Sequence, residues 1–283
     1  MGQALWRAGW FGVLAGCVSP PSPADVTVSY GTPSYGYLQH AVALPDRGPG
    51  YVRARPSEDT RWGTPTLVGA LARATASVAA TLPGGSPMRI GDLSRRDGGL
   101  HERHGSHRAG RDADVIFHLT DSLGRADRGR GWLGFDRFGF APEDHPPGGT
   151  QGTGALFFFD TARNWQFVRT LLLDPDANVL WIFCANGIKA RLLRHGVANE
   201  TNPEALLRAA TVLHQPSYGN PHRDHFHVRV ACTRTERAMG CLERDPLWPW
   251  IRDATELPPF SAILPADDAS LLKALLDDHD RAP

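Results

Sequence analysis

The segment from His222 to Val230 constrains this chain most: His222-Arg-Asp-His225-Phe-His227-Val-Arg-Val230. Successive side chains of a strand alternate between faces. Phe226, Val228 and Val230 therefore share one face, and His225, His227 and Arg229 share the other. A chain that forms this strand needs a sheet with an apolar core on one side and two imidazoles on the other. Residues two apart on a strand sit roughly 6–7 Å apart at Cα. The two imidazoles can share one metal ion, or one can ligate while the other works beside it.

A second window has the same character. Six of the 12 histidines fall within 101–107 and 222–227. His104-Gly-Ser-His107-Arg-Ala-Gly110-Arg-Asp112-Ala-Asp114 reads as a loop that turns at Gly110 and runs into a strand carrying Asp114. His107 and Asp114 can converge on one ion. Two His and one carboxylate leave a fourth tetrahedral position open for water, as a catalytic zinc requires. A structural zinc would be closed by four protein ligands, often including Cys, and no Cys is spaced for that.

The remainder reads as one α+β domain. Residues 25–63 are short, Gly/Pro-punctuated and strand-like. Thr64-Pro65 is a helix start, followed by Leu67, Leu71, Ala74 and Val78 at helical spacing. Strands are expected over 88–93, 112–119, 179–184 and 224–231, an apolar run spans 155–159, and helices are expected over 161–173, near 187–195, from 203 to about 214, and over 266–278. Residues 120–154, rich in Gly, Arg, Asp and Pro, read as a long surface excursion. Lys+Arg 30 against Asp+Glu 30 gives no net charge, which argues against a nucleic-acid binder. No apolar run reaches the roughly 20 residues of a membrane span.

Residues 1–16 read as an export signal with Arg7 and a short apolar stretch. Leu14-Ala15-Gly16-Cys17 resembles the bacterial lipobox, which implies that Cys17 is lipidated. Val18 after it implies, by the same resemblance, outer-membrane sorting. Residues 17–25 then form a Pro/Ser tether, and 26–283 a single domain. Cys232 and Cys241 flank a short loop and could pair in an oxidising compartment. Cys184, inside Val179-Leu-Trp-Ile-Phe-Cys184, reads as an inert core thiol.

The two histidine motifs together resemble the penicillin-insensitive murein endopeptidase family. That family sits in the superfamily of lysostaphin-type peptidases, D-Ala-D-Ala metallopeptidases and the hedgehog amino domain. Gly36-Tyr-Leu38-Gln39, Trp62-Gly-Thr-Pro65, Gly91-Asp92-Leu-Ser94-Arg95 with Gly98-Gly99, and Asn164-Trp165 extend the resemblance over about 29–241. It implies a small, mainly antiparallel sheet with flanking helices and long loops. It implies that His107, Asp114 and His227 ligate one zinc ion, with a second metal left open. His225 would be the general base or would stabilise the transition state. His104 and His222 would lie near the metal, orienting ligands, touching substrate or holding a second ion. Asp112 would stabilise the loop, and Ser94 and Arg95 could line the cleft and hold a peptide carboxylate. Cys232–Cys241 resembles a family disulfide. His40, His101, His118, His145, His195, His214 and His279 are read as ordinary.

The implied activity is metal-assisted hydrolysis of D-amino-acid cross-links, of the D-Ala–diaminopimelate type, in peptidoglycan. The expected partners are stem peptides and, through the lipid, a membrane. Neither nucleic acid nor a nucleotide cofactor is expected. The expected location is the periplasm, at the outer membrane. The alternatives are a D-alanyl-D-alanine carboxypeptidase or dipeptidase, and a non-catalytic peptidoglycan-binding lipoprotein.

Overall fold

The structure, a computed structural model, describes residues 26–128, 131–143 and 154–252. The export signal, Cys17 with its tether, and the helix expected over 266–278 lie outside the described residues. The fold is α+β. Among the described residues a seven-stranded sheet runs Leu213–His214, Val179–Phe183, His225–Val230, Asp112–Ile116, Met88–Ile90, Tyr51–Arg53, Arg47–Gly48. It is mainly antiparallel. The pairs 179–183/213–214 and 51–53/88–90 are parallel.

The strand read from alternation forms as expected, over His225–Val230. Phe226, Val228 and Val230 are fully buried in the core, and Phe167 of helix α2 (Thr161–Leu173) stacks on Phe226 at 6.0 Å. Helix α1 (Pro65–Thr81) begins where Thr64 accepts a hydrogen bond from the Leu67 N–H and Pro65 takes the first turn. Its buried residues Leu67, Leu71, Ala74 and Val78 follow the predicted stripe. Helices α1 and α2 pack together, joined by Gln166 and Thr170, which both hydrogen-bond Ser77. Helices α3 (Asn186–Asn199) and α4 (Pro203–Val212) complete this layer.

The 120–154 stretch departs from the reading as a surface excursion. Ala126–Asp127 and Phe140–Pro142 pair with Leu119–Thr120 and Leu156–Phe159 in a second, four-stranded antiparallel sheet. Between these strands Leu133 and Phe135 are buried, Phe135 against Phe117 and Phe159. Its Gly and charged residues hid a few apolar anchors. Cys232 and Cys241 form a disulfide, and Cys184 is a buried free thiol.

Candidate metal centre

Strand register builds the site. His227 lies opposite Asp114, and Arg229 opposite Asp112. A slip of one residue would send every one of these side chains into the helical layer. As paired, Arg229 grips Asp112 through two hydrogen bonds of 2.8 and 3.1 Å. Asp112 also accepts the backbone N–H of His107 at 3.2 Å. It thus supports both the loop and the strand, in keeping with the loop-stabilising role.

The loop before Asp112 is held by buried hydrogen bonds. Ser94 Oγ donates to the His107 carbonyl at 2.7 Å and accepts from Gly110 N–H at 2.8 Å. Ser94 is fully buried by this task, so it does not line a cleft. Gly110 has φ +71°, and a Cβ there would meet Leu38 at 2.6 Å. His107 itself has φ +62°, a conformation that non-glycine residues adopt at a cost. Its Nδ1 lies 3.1 Å from the Leu93 carbonyl, which only an N–H can satisfy. An N–H on Nδ1 meets that carbonyl, and Nε2 faces inward toward the cluster.

Four imidazoles surround Asp114. His107 Nε2, His227 Nδ1 and Asp114 Oδ1 form a triangle with all three sides 3.3 Å. His225 Nε2 is 3.4 Å from the same oxygen, and His104 Nε2 is 3.4 Å from Oδ2. Asp114 is fully buried, yet neither oxygen has a hydrogen-bond partner. Leaving a buried carboxylate without partners is expensive. A tetrahedral ion with arms of about 2.0–2.1 Å holds its ligand atoms about 3.3–3.4 Å apart. The triangle therefore fits such an ion, and the ion would satisfy the orphaned oxygens. Burial opposes the charge on both carboxyls, but His107 and His225 hold Asp114, and Arg229 and His227 hold Asp112, well below the usual range.

The other candidate residues arrange around this triangle. His104, His107 and Asp114 form one group able to hold an ion, and Asp92, His101 and His104 form another. Asp92 is already saturated: it meets Arg55 at 2.8 Å, Arg103 at 3.0 Å, Thr60 at 2.7 Å and His104 at 3.0 Å. His225 Nδ1 contacts Asp224 at 2.7 Å. Burial pushes His225 down, but Asp114 and Asp224 outweigh it and raise its pKa to about 9. The His222 ring is 4.9 Å from that of His225, and its buried Nδ1 has no partner. His227 turns Nε2 toward Asp112 at 3.4 Å, without hydrogen-bond alignment. Arg95 lines a neighbouring cavity of about 560 Å³ and pairs with Glu102.

Three residues of this neighbourhood escaped the sequence reading. Asp224 adjoins His225 in sequence and Asp92 lies nine residues before His101, but one-dimensional spacing did not show that they touch histidines. His101, read as ordinary, is buried with its ring 4.6 Å from His104. Its place inside the first histidine window was the available signal.

Fold and site define a class: an α+β protein whose central sheet carries a buried, metal-competent histidine–carboxylate cluster on the face away from its helices. The comparisons with known proteins narrow it. Residues 29–130 match the family described as penicillin-insensitive murein endopeptidase. The penicillin-insensitive murein endopeptidase of Haemophilus influenzae is 27% identical over 220 residues, covering 75% of this chain and 66% of that protein, just under two thirds. The family resemblance read from the two motifs is borne out. The family match includes His104, His107 and Asp114, and the second motif lies beyond it.

Proposed function

We propose that this protein is a zinc-dependent murein endopeptidase that hydrolyses D-amino-acid cross-links of peptidoglycan. The observation that carries this reading is the 3.3 Å triangle of His107 Nε2, Asp114 Oδ1 and His227 Nδ1 around an otherwise unpartnered buried carboxylate. The family match supplies the substrate class. A zinc ion held by these three residues would polarise the scissile carbonyl and bring the pKa of a bound water near neutrality.

The chain's own residues do the rest. Asp224 fixes the His225 ring through Nδ1, so Nε2 faces the cluster. Proton transfer by a positioned imidazole typically contributes 10²–10⁴-fold. In its charged form, favoured by Asp224, His225 stabilises negative charge developing on the substrate carbonyl and gives its Nε2 proton to the leaving amine. In its neutral form Nε2 takes a proton from the attacking water. Arg229 and Asp112 hold the His227 strand against the Asp114 strand. Within this reading Cys17 carries a lipid that holds the enzyme in the periplasm beside an immobile substrate.

The test digests purified cross-linked muropeptide dimers and resolves the products by mass spectrometry. Conversion of dimers to intact monomers, abolished by a chelator and restored by zinc, is the expected result. Loss of a terminal D-Ala alone would replace the reading with a carboxypeptidase. Bound zinc with no cleavage would make the chain a binding protein.

A further inference from the structure

We propose that Trp132 is a positioning residue for His225, fixing the plane of its imidazole through an edge-to-face ring contact. This rests on the endopeptidase reading for its consequence, not for its geometry. The Trp132 and His225 rings meet edge to face, 4.9 Å between centroids and 87° between planes. The Asp224 contact pins Nδ1 and the His222 ring packs edge to face at 4.9 Å; Trp132 adds a further ring contact that restricts tilt of the imidazole about Nδ1. Edge-to-face packing is the geometry aromatic rings prefer, and it gains energy beyond area burial.

The indole is itself held by two further contacts, Arg55 and the Gly91 backbone. Arg55 places its guanidinium carbon 5.1 Å from the Trp132 ring centroid and donates to Asp92 Oδ2 at 2.8 Å. Asp92 in turn contacts His104 Nε2. Beneath the indole lies Gly91, where a Cβ would stand 2.7 Å from Trp132 Cη2 and 3.2 Å from Asp114 Cβ. Gly91 is thus empty space that the indole fills, and its N–H donates to the Asp114 carbonyl at 2.8 Å. The backbone carrying Trp132 is tied down at both ends. Arg89 donates to the Gly131 carbonyl at 2.6 Å, and Phe135 N–H donates to the Arg223 carbonyl at 2.9 Å. The second tie joins this segment to the turn that carries Asp224 and His225. One side chain therefore links the Asp92–His104 side of the cluster to the His225 side. That explains why apolar anchors and a tryptophan interrupt an otherwise Gly- and Arg-rich stretch.

The experiment compares zinc-loaded wild type with Trp132→Ala and Trp132→Phe. Metal content should be equal in all three. In Trp132→Ala, kcat on cross-linked muropeptides should fall on the order of 10–100-fold with KM little changed, the usual effect of losing a group that orients a site residue. Trp132→Phe, which keeps an aromatic edge, should recover most of it. Independently of turnover, the His225 ring resonances in side-chain NMR should shift and broaden in Trp132→Ala and return toward wild type in Trp132→Phe. Unchanged His225 resonances would overturn the proposal, as would loss of zinc in Trp132→Ala or a raised KM at constant kcat. Should the wild type cut no cross-link, the endopeptidase reading fails, and the NMR comparison still decides what Trp132 does.

Discussion

At the residue scale the centre divides its histidines by which nitrogen faces Asp114. His107 presents Nε2 because Leu93 takes the proton on Nδ1, whereas His227 presents Nδ1 and turns Nε2 toward Asp112. His225 also presents Nε2, but a second carboxylate, Asp224, engages its other nitrogen. In the proposed function, a ligand and a proton carrier therefore sit two residues apart on one strand. His227→Ala should lose bound zinc and cross-link cleavage together, because it removes one corner of the triangle. His225→Ala should keep most of the zinc while cleavage drops about 10²–10⁴-fold, the range for a general acid–base group. Metal analysis beside turnover checks both. An empty site in His225→Ala would exchange the two roles.

At the scale of elements, the strand His225–Val230 carries two loads. Its outer face supplies the centre, and its inner face supplies Phe226, wedged between Phe117 at 4.6 Å and Phe167 at 6.0 Å. Truncating a buried Phe costs about 3–5 kcal/mol through lost burial and the cavity left behind. Phe226→Ala should destabilise by that amount in urea unfolding, and it should weaken zinc binding although no ligand changes. A variant that unfolds as the wild type does would mean that the helical layer does not hold this strand in register. His118, just past the end of the neighbouring strand Asp112–Ile116, adds a pH dependence. Burial pushes His118 down to about 4, with Arg163 adding to it and Asp160 opposing. The unfolded chain binds that proton near pH 6.5. Stability should therefore fall as pH drops from about 6.5 to about 4, by on the order of 3 kcal/mol in all. His118→Gln should flatten this part of the stability–pH curve, and two superimposable curves would remove His118 as its source.

At the scale of the whole molecule, the seven- and four-stranded sheets and the helical layer of the described residues leave a buried polar face, and the proposed function adds a tether to it. Among the described residues no helix is long and apolar enough to cross a membrane. In the proposed function attachment is through Cys17, which lies outside them. Cys17→Ser should move the protein from the membrane fraction to the soluble fraction without changing cleavage of soluble muropeptides. A wild type that fractionates as soluble would remove the anchor and leave the enzymatic reading untouched.

The sequence by itself determined what depends on neighbours along the chain. The strand at 225–230 followed from alternation, α1 from helical spacing and the Thr64-Pro65 start, and α2 from helical spacing. The gathering of histidines announced the chemistry, because polar groups on one face of a strand need a common purpose. Contacts between distant segments were decided only by the tertiary structure. His107 and His227 stand 120 residues apart yet 3.3 Å from nitrogen to nitrogen, because Asp114 pairs with His227 across two antiparallel strands. The same folding saturates Asp92, buries His101, seats Trp132 on Gly91 and withdraws Ser94 from any cleft. Backbone periodicity is local, so it is legible in sequence. Register and side-chain convergence are set by packing the whole core at once, and no short stretch of sequence carries them.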